Sequence, residues 1–152
     1  MWFNVVILFG TFLLMEGVAW LTHRYVMHGL FWFLHEDHHV PNKDNVLEKN
    51  DYFFLIFAIP GAGLTIFGSI GAELNYLFFI GLGITLYGFV YFLIHEVFIH
   101  QRLKWFRNSN SKYLRAIRRA HKVHHKHLGK YDGECFGMLI VPFKYFKAEI
   151  KK

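Results

Sequence analysis

The chain has one cysteine, Cys135, in 152 residues, which excludes a disulfide-stapled scaffold. Charge is also scarce: 18% of residues are charged, against 54% hydrophobic and 20% aromatic. Disordered chains show the opposite balance, so disorder is excluded. Three stretches are almost free of charge. Trp2–Leu21 has one ionisable side chain, Glu16, while Tyr52–Ile70 and Leu74–Ile94 have none. As helices of 1.5 Å rise per residue, each reaches about 30 Å, the thickness of a bilayer core. The sequence therefore predicts an all-α membrane protein, one domain over residues 1–152, with spans at about 2–21, 52–70 and 74–94.

The basic residues are missing from one side. None precedes the first span, and none lies in the turn Gly71–Asn75. Arg24, Lys43 and Lys49 lie in the loop Thr22–Asp51, and the other fourteen follow His95. The positive-inside rule puts that loop and the tail in the cytoplasm, so the protein is expected in the cytoplasmic membrane. The first stretch has neither the basic start nor the small-residue cleavage site of a secretory signal. Cys135–Phe143 is apolar but short and contains Pro142, so it is expected at the interface or re-entrant; a fourth span needs it to be stretched. Asn50 or Asp51 is expected to cap the second span. Pro60 should loosen that span. Gly61, Gly63, Gly68, Gly71, Gly81, Gly83 and Gly88 allow close helix contacts in lipid.

Histidine is the residue in excess. Ten of the eleven histidines fall into a doubled pattern. His23 and His28 form an HxxxxH, and His35, His38 and His39 an HxxHH. After two spans, His95 and His100 repeat the first spacing, and His121, His124 and His125 the second. On a helix the HxxHH spacing brings three rings to one side. HxxxxH does not: residues five apart point about 140° apart on an ideal α-helix, so the helix must unwind or the metals must lie between helices. Both halves deliver their histidines to one end of the spans, which makes a helical, histidine-rich cytoplasmic cap. Ten imidazoles exceed the needs of one ion and suit two, with about five each. Imidazole suits iron, zinc and copper alike. His127 stands outside the pattern and reads as a tail residue.

Acidic residues beside the motifs are candidates to orient the rings: Glu16, Glu36, Asp37 and Glu96. A charged acid in a span costs about 2.5 kcal/mol or more, so Glu16 needs a reason. It lies seven residues before His23, about 20° off the same face, and is expected to hydrogen-bond a ligand histidine. Phe9, Phe12, Trp20, Tyr25, Phe31, Trp32, Tyr87, Phe89 and Tyr91 are candidates for an apolar substrate path.

These motifs resemble the membrane-bound fatty acid hydroxylase and desaturase superfamily, and within it the bacterial, zeaxanthin-forming β-carotene 3-hydroxylases. The resemblance runs through Glu16-Gly-Val-Ala-Trp20, both HxxxxH and both HxxHH motifs with Gly29 and Pro41, Glu48-Lys-Asn-Asp51, Tyr87-Gly88, Glu96, Arg115 and Ala120. It implies that the ten histidines hold two iron ions. It implies that one atom of O2 enters carbon 3 of a β-ionone ring of a carotenoid drawn from the bilayer. It further implies electrons from an external carrier such as ferredoxin, since no nucleotide motif is visible. Arg115, Arg118, Arg119, Lys122 and Lys126 are candidates for docking that acidic carrier or membrane lipid. Nucleic acid is not an expected partner. The competing readings are a fatty acid or sterol hydroxylase, and a membrane metal-binding or transport protein.

Overall fold

The computed structural model describes residues 2–40, 47–106 and 108–150; Pro41 and Lys43 lie outside them. The regular elements among the described residues are all helices, with no strand. Helix α1 spans Trp2–Leu21 and runs directly into a π-helix, π1, over Thr22–Leu30. Helix α2 follows at Trp32–His39. A 3₁₀ turn at Lys49–Asp51 leads into α3, Tyr52–Gly68. Helix α4, Tyr76–Phe92, continues as a second π-helix, π2, over Leu93–Ile99. Two shorter helices close the chain, α5 at Lys112–His124 and α6 at Phe143–Ile150.

Three continuous helical stretches are long and apolar enough to cross a membrane: Trp2–Leu30, Lys49–Gly68 and Tyr76–Ile99. The first and third are longer than the apolar patterns predicted, because the π-helices extend them towards the histidines. Outward residues such as Leu13, Leu14, Ile59, Ile66 and Phe67 are exposed. Apolar exposure this continuous is abnormal for a protein in water and fits lipid.

Helix α4 packs against both α1 and α3. Small residues permit this: a Cβ at Gly81 would lie 2.5 Å from the Thr65 backbone nitrogen, and one at Gly83 would lie 2.7 Å from the Leu8 carbonyl. Gly61 and Gly68 also lie at helix contacts, whereas Gly63, Gly71 and Gly88 meet nothing there. Pro60 sits inside a continuous α3. Asn75 caps α4 by accepting from the Leu77 N–H. Neither Asn50 nor Asp51 caps α3 by its side chain: Asp51 accepts from the Glu48 N–H in a capping box of the preceding 3₁₀ turn, and Asn50 accepts from His35. Helix α5 is amphipathic: Ala116, Ile117 and Ala120 are buried with Val141 and Tyr145.

The segment before α6 does not form a fourth span. It lies irregularly against α1 and is held there by Glu16. One carboxylate oxygen, Oε1, accepts from three consecutive N–H groups, those of Met138, Leu139 and Ile140, each at 2.9 Å. The other accepts from the Tyr87 hydroxyl at 2.7 Å. Irregular backbone in an apolar setting must find partners within the protein, and Glu16 supplies them. Gly137 lets the segment close over the carboxylate: a Cβ there would lie 3.1 Å from Oε1 and 2.6 Å from the Ile140 carbonyl. Glu16→Ala orphans three N–H groups at about 1 kcal/mol or more each. Amide exchange at Met138–Ile140 should then accelerate about hundredfold while the α3 amides keep their protection. Unchanged exchange at these three amides would refute the anchoring role.

Candidate metal centre

The ten histidines of the doubled motif meet in one cluster at the π-helical ends of α1 and α4. They divide into two sets. His23, His28, His35, His39 and His124 bring one nitrogen each within 4.8 Å of one another, and so do His38, His95, His100 and His121. The His125 ring packs 4.5 Å from His121 and 4.8 Å from His38, which joins it to the second set. It also stacks on His39 at 4.5 Å, where the two sets abut.

Local structure explains both spacings. Within π1 and π2 the backbone bonds i to i+5, as in His100 N–H to the His95 carbonyl and Phe31 N–H to the Val26 carbonyl. Residues five apart therefore stack one turn above the other, and HxxxxH becomes a same-face pair. This answers the 140° problem: the helix widens. The HxxHH motifs do not converge as trios. Their i, i+4 pairs stay together and the i+3 ring turns to the other set. Helix α2 gives His35 and His39 to the first set and His38 to the second. Helix α5 gives His121 and His125 to the second and His124 to the first. Each half of the chain thus lends one ring to the other half's set.

The outer nitrogens of the rings are tied down. His23 Nδ1 donates to the Phe136 carbonyl at 2.9 Å, His28 Nδ1 to Lys130 at 3.1 Å, His39 Nδ1 to His127 at 2.9 Å and His124 Nδ1 to Glu134 at 2.9 Å. His35 Nδ1 donates to Asn50 Oδ1 at 2.6 Å, His38 Nδ1 to Glu48 at 2.7 Å, and His95 Nδ1 to Glu96. Oxygen acceptors of this kind take the proton of a neutral ring, so the inner Nε2 is bare. Bare nitrogens nevertheless face each other: His23 and His35 at 3.2 Å, His28 and His124 at 3.1 Å, His38 and His95 at 3.1 Å. Lone pairs this close repel unless a cation lies between them. Imidazoles about 2.1 Å from one ion and at right angles are about 3 Å apart, which fits. His39 Nε2 and His125 Nε2 are buried with no hydrogen-bond partner, a costly state that a metal ion relieves. The donor set therefore suits a pair of metal ions.

Of the four candidate acids, Glu96 contacts a cluster histidine. Glu16 bonds Tyr87 and backbone rather than a histidine, contrary to the expectation from its helical phase. Its influence passes through the segment it anchors, because Phe136 and Glu134 receive His23 and His124. Glu36 is exposed, since the i+1 position of HxxHH points away from the rings. Asp37 accepts from the Lys49 N–H at 2.6 Å. The pattern does not single out Glu48, Asn50 or the carbonyls of the 127–136 loop as ring partners, nor Arg102 as the ion-pair partner of Glu48 and Glu96. Only the Glu48-Lys-Asn-Asp51 motif carried any signal of them. His127 contributes its carbonyl and keeps its ring out of both sets. Among the aromatic candidates, Trp32 packs on His28 and His39, and Tyr91 on His95. Phe9, Tyr25 and Phe89 are exposed.

Burial opposes protonation of six of these rings, those of His38, His39, His100, His121, His124 and His125. It lowers His39 to about 4, and His100 and His124 to about 3, with neighbouring imidazoles adding to the effect. His38, His121 and His125 are lowered for the same reasons. An unfolded chain takes up protons on these histidines from about pH 6.5, whereas the folded chain resists until about pH 4 and below. Stability of the metal-free protein is therefore full above pH 6.5 and falls as the pH drops towards 4. Melting temperatures in detergent from pH 8 to 4 should show that decline; a flat profile would contradict the buried neutral cluster.

The fatty acid hydroxylase family matches residues 8–145 of this chain. A β-carotene hydroxylase of Pseudescherichia vulneris is 39% identical over 90% of this chain and 76% of its own length. One from Paracoccus sp. (strain N81106 / MBIC 01143) is 38% identical over 91% of this chain and 85% of its own. The chloroplastic β-carotene 3-hydroxylase 2 of Arabidopsis thaliana is 34% identical over 91% of this chain and 48% of its own. No solved structure matches. On the length matched and the relatives it shares, the chain belongs to the fatty acid hydroxylase family, in the group of the β-carotene hydroxylases.

Proposed function

We propose that this protein hydroxylates carotenoid β-rings at carbon 3, converting β-carotene to β-cryptoxanthin and zeaxanthin, with its ten clustered histidines holding two iron ions. The observation that carries the reading is the two histidine sets, one of five and one of four with His125 packed against it, in a chain whose relatives at 37–39% identity are named β-carotene hydroxylases. The reaction consumes a C–H bond, O2, two electrons and two protons, and yields an alcohol and water. Two irons, when bound, supply the activation of O2. The chain's own residues do the rest. The outer carbonyls and carboxylates fix the tautomer of the imidazoles and aim their inner nitrogens at the centre of each set. Trp32, Tyr91 and Phe136 wall the rings with apolar surface and keep water away.

A cavity of about 230 Å³ opens beside the first set, lined by Trp20, Arg24, Phe136, Gly137, Ile140 and Pro142 among others. Phe136, in its wall, packs on His23, His28 and His124. Its volume is below the roughly 300–1,000 Å³ of sites that enclose a whole ligand. That suits one ring of a long hydrocarbon whose remainder stays in lipid. Electrons come from an external, ferredoxin-like carrier, for which α5 offers Arg115, Arg118, Arg119 and Lys122 around one hollow, where Glu149 pairs with Arg115 and Arg119. The site faces the cytoplasm from the cytoplasmic membrane, since all 17 Lys and Arg lie on the histidine side of the spans. A transport role is disfavoured because Glu16, the ionisable side chain within the apolar stretches, is consumed in anchoring backbone.

The test is pigment analysis of aerated cells that accumulate β-carotene. Expression should yield β-cryptoxanthin and zeaxanthin, and His124→Ala or His38→Ala should reduce product at least hundredfold. Unaltered β-carotene alongside abundant, iron-loaded protein would overturn the carotenoid reading and turn attention to fatty acids and sterols.

A further inference from the structure

The two histidine sets have different surroundings. Around the first, the five outer nitrogens donate to neutral oxygens: the carbonyls of Phe136, Lys130, His127 and Glu134, and the Asn50 amide. Around the second, two outer nitrogens donate to carboxylates, His38 to Glu48 and His95 to Glu96. These acids belong to an ionic network. Arg102 pairs with Glu48 at 3.0 Å, with Asp51 at 3.0 Å and with Glu96 at 2.8 Å. Three carboxylates against one guanidinium leave an excess of two negative charges beside the second set, and Glu48 and Glu96 are largely shielded from solvent.

A carboxylate that accepts an imidazole N–H draws the proton outward and makes the opposite nitrogen a stronger donor. A neutral carbonyl does so less. Loss of such partners costs about 10–100-fold in metal affinity. The excess negative charge acts in the same direction, because it offsets the charge of a bound cation. The outer partners of the first set are uncharged, so its rings gain no such hydrogen bond.

We propose that the two metal positions are built unequal, with the set of His38, His95, His100, His121 and His125 binding its ion about 10–100-fold more tightly than the other. The inference rests on the reading of both sets as metal ligands. Glu48 and Glu96 act here as positioning residues through His38 and His95, and Arg102 holds the two acids in place. The more weakly held ion is then the one beside the cavity at Phe136.

Two adjacent cations repel, so wild-type titration alone shows two steps even for identical sites. The experiment therefore compares chains with one set left intact. His28→Ala keeps the second set and His100→Ala keeps the first; the two positions correspond, each closing an HxxxxH. Full-length, metal-free protein in detergent is titrated anaerobically with Fe(II), with bound iron counted after equilibrium dialysis. The expected result is that the most firmly held ion binds about 10–100-fold more tightly in His28→Ala than in His100→Ala. Adding Glu48→Gln and Glu96→Gln to His28→Ala should remove that advantage, whereas the same pair added to His100→Ala should change little. Size-exclusion profiles and helical circular dichroism identify any variant that fails to fold. In that event Glu48→Gln/Glu96→Gln in the otherwise intact chain must weaken the tighter of its two steps and spare the weaker. Equal affinities in the two single-set variants, or tighter binding in His100→Ala, would overturn the proposal. Wild-type protein that binds no iron would instead overturn the metal reading beneath it.

Discussion

The gathering of ten imidazoles, eight of them buried, with inner nitrogens facing one another is the constraint on which the rest of this structure depends. Such an arrangement is unfavourable in itself. It forgoes hydration of the rings and sets lone pairs about 3 Å apart. Each tied outer nitrogen has an acceptor, and the inner nitrogens form two sets that a cation each would relieve. The acceptors come from every part of the chain: a loop after α2, the end of α4, and above all the segment between α5 and α6. The spans, the irregular loops and the short terminal helices thus form one support for the same cluster.

The π-helices are where sequence, fold and site meet. An α-helix cannot aim residues five apart at one point, and a π-helix can. Both HxxxxH motifs lie at the ends of long membrane helices, where widening the turn does not interrupt the apolar span. The crossing of rings between halves adds a second tie. His38 and His124 each enter the other half's set, so neither set is complete without both halves of the sequence. Glu16 plays the matching part on the membrane side. By satisfying three backbone amides it lets an irregular segment lie against α1 at the edge of the apolar region. The carbonyls of that segment then hold His23 and His124.

Much of this was legible in the sequence. The three spans were visible as charge-free runs, and the ten histidines as two repeated spacings. Their common location followed from the topology. Glu96 was identifiable by its place beside His95. What escaped was anything decided by backbone. Carbonyl acceptors carry no residue signature, so the roles of Lys130, Glu134 and Phe136 could not be read. The partner of Glu16 was misjudged because helical phase gives a direction and not a neighbour: the side chain faces inward, and a returning loop occupies the space before any histidine does. Arg102 stands two residues after His100 and Glu48 nine after His39, but neither spacing shows that the two meet, and only folding brings them together. The division of each HxxHH between two sets depends on how α2 and α5 face each other, which one helix alone does not reveal.

The most direct measurement is the iron content of the purified full-length protein together with X-ray absorption at the iron edge. Two irons per chain, each in a nearest shell of nitrogen with the outer scattering of several imidazole rings, is the result this account predicts. One iron per chain, or a nearest shell dominated by sulfur or by carboxylate oxygen, would contradict it.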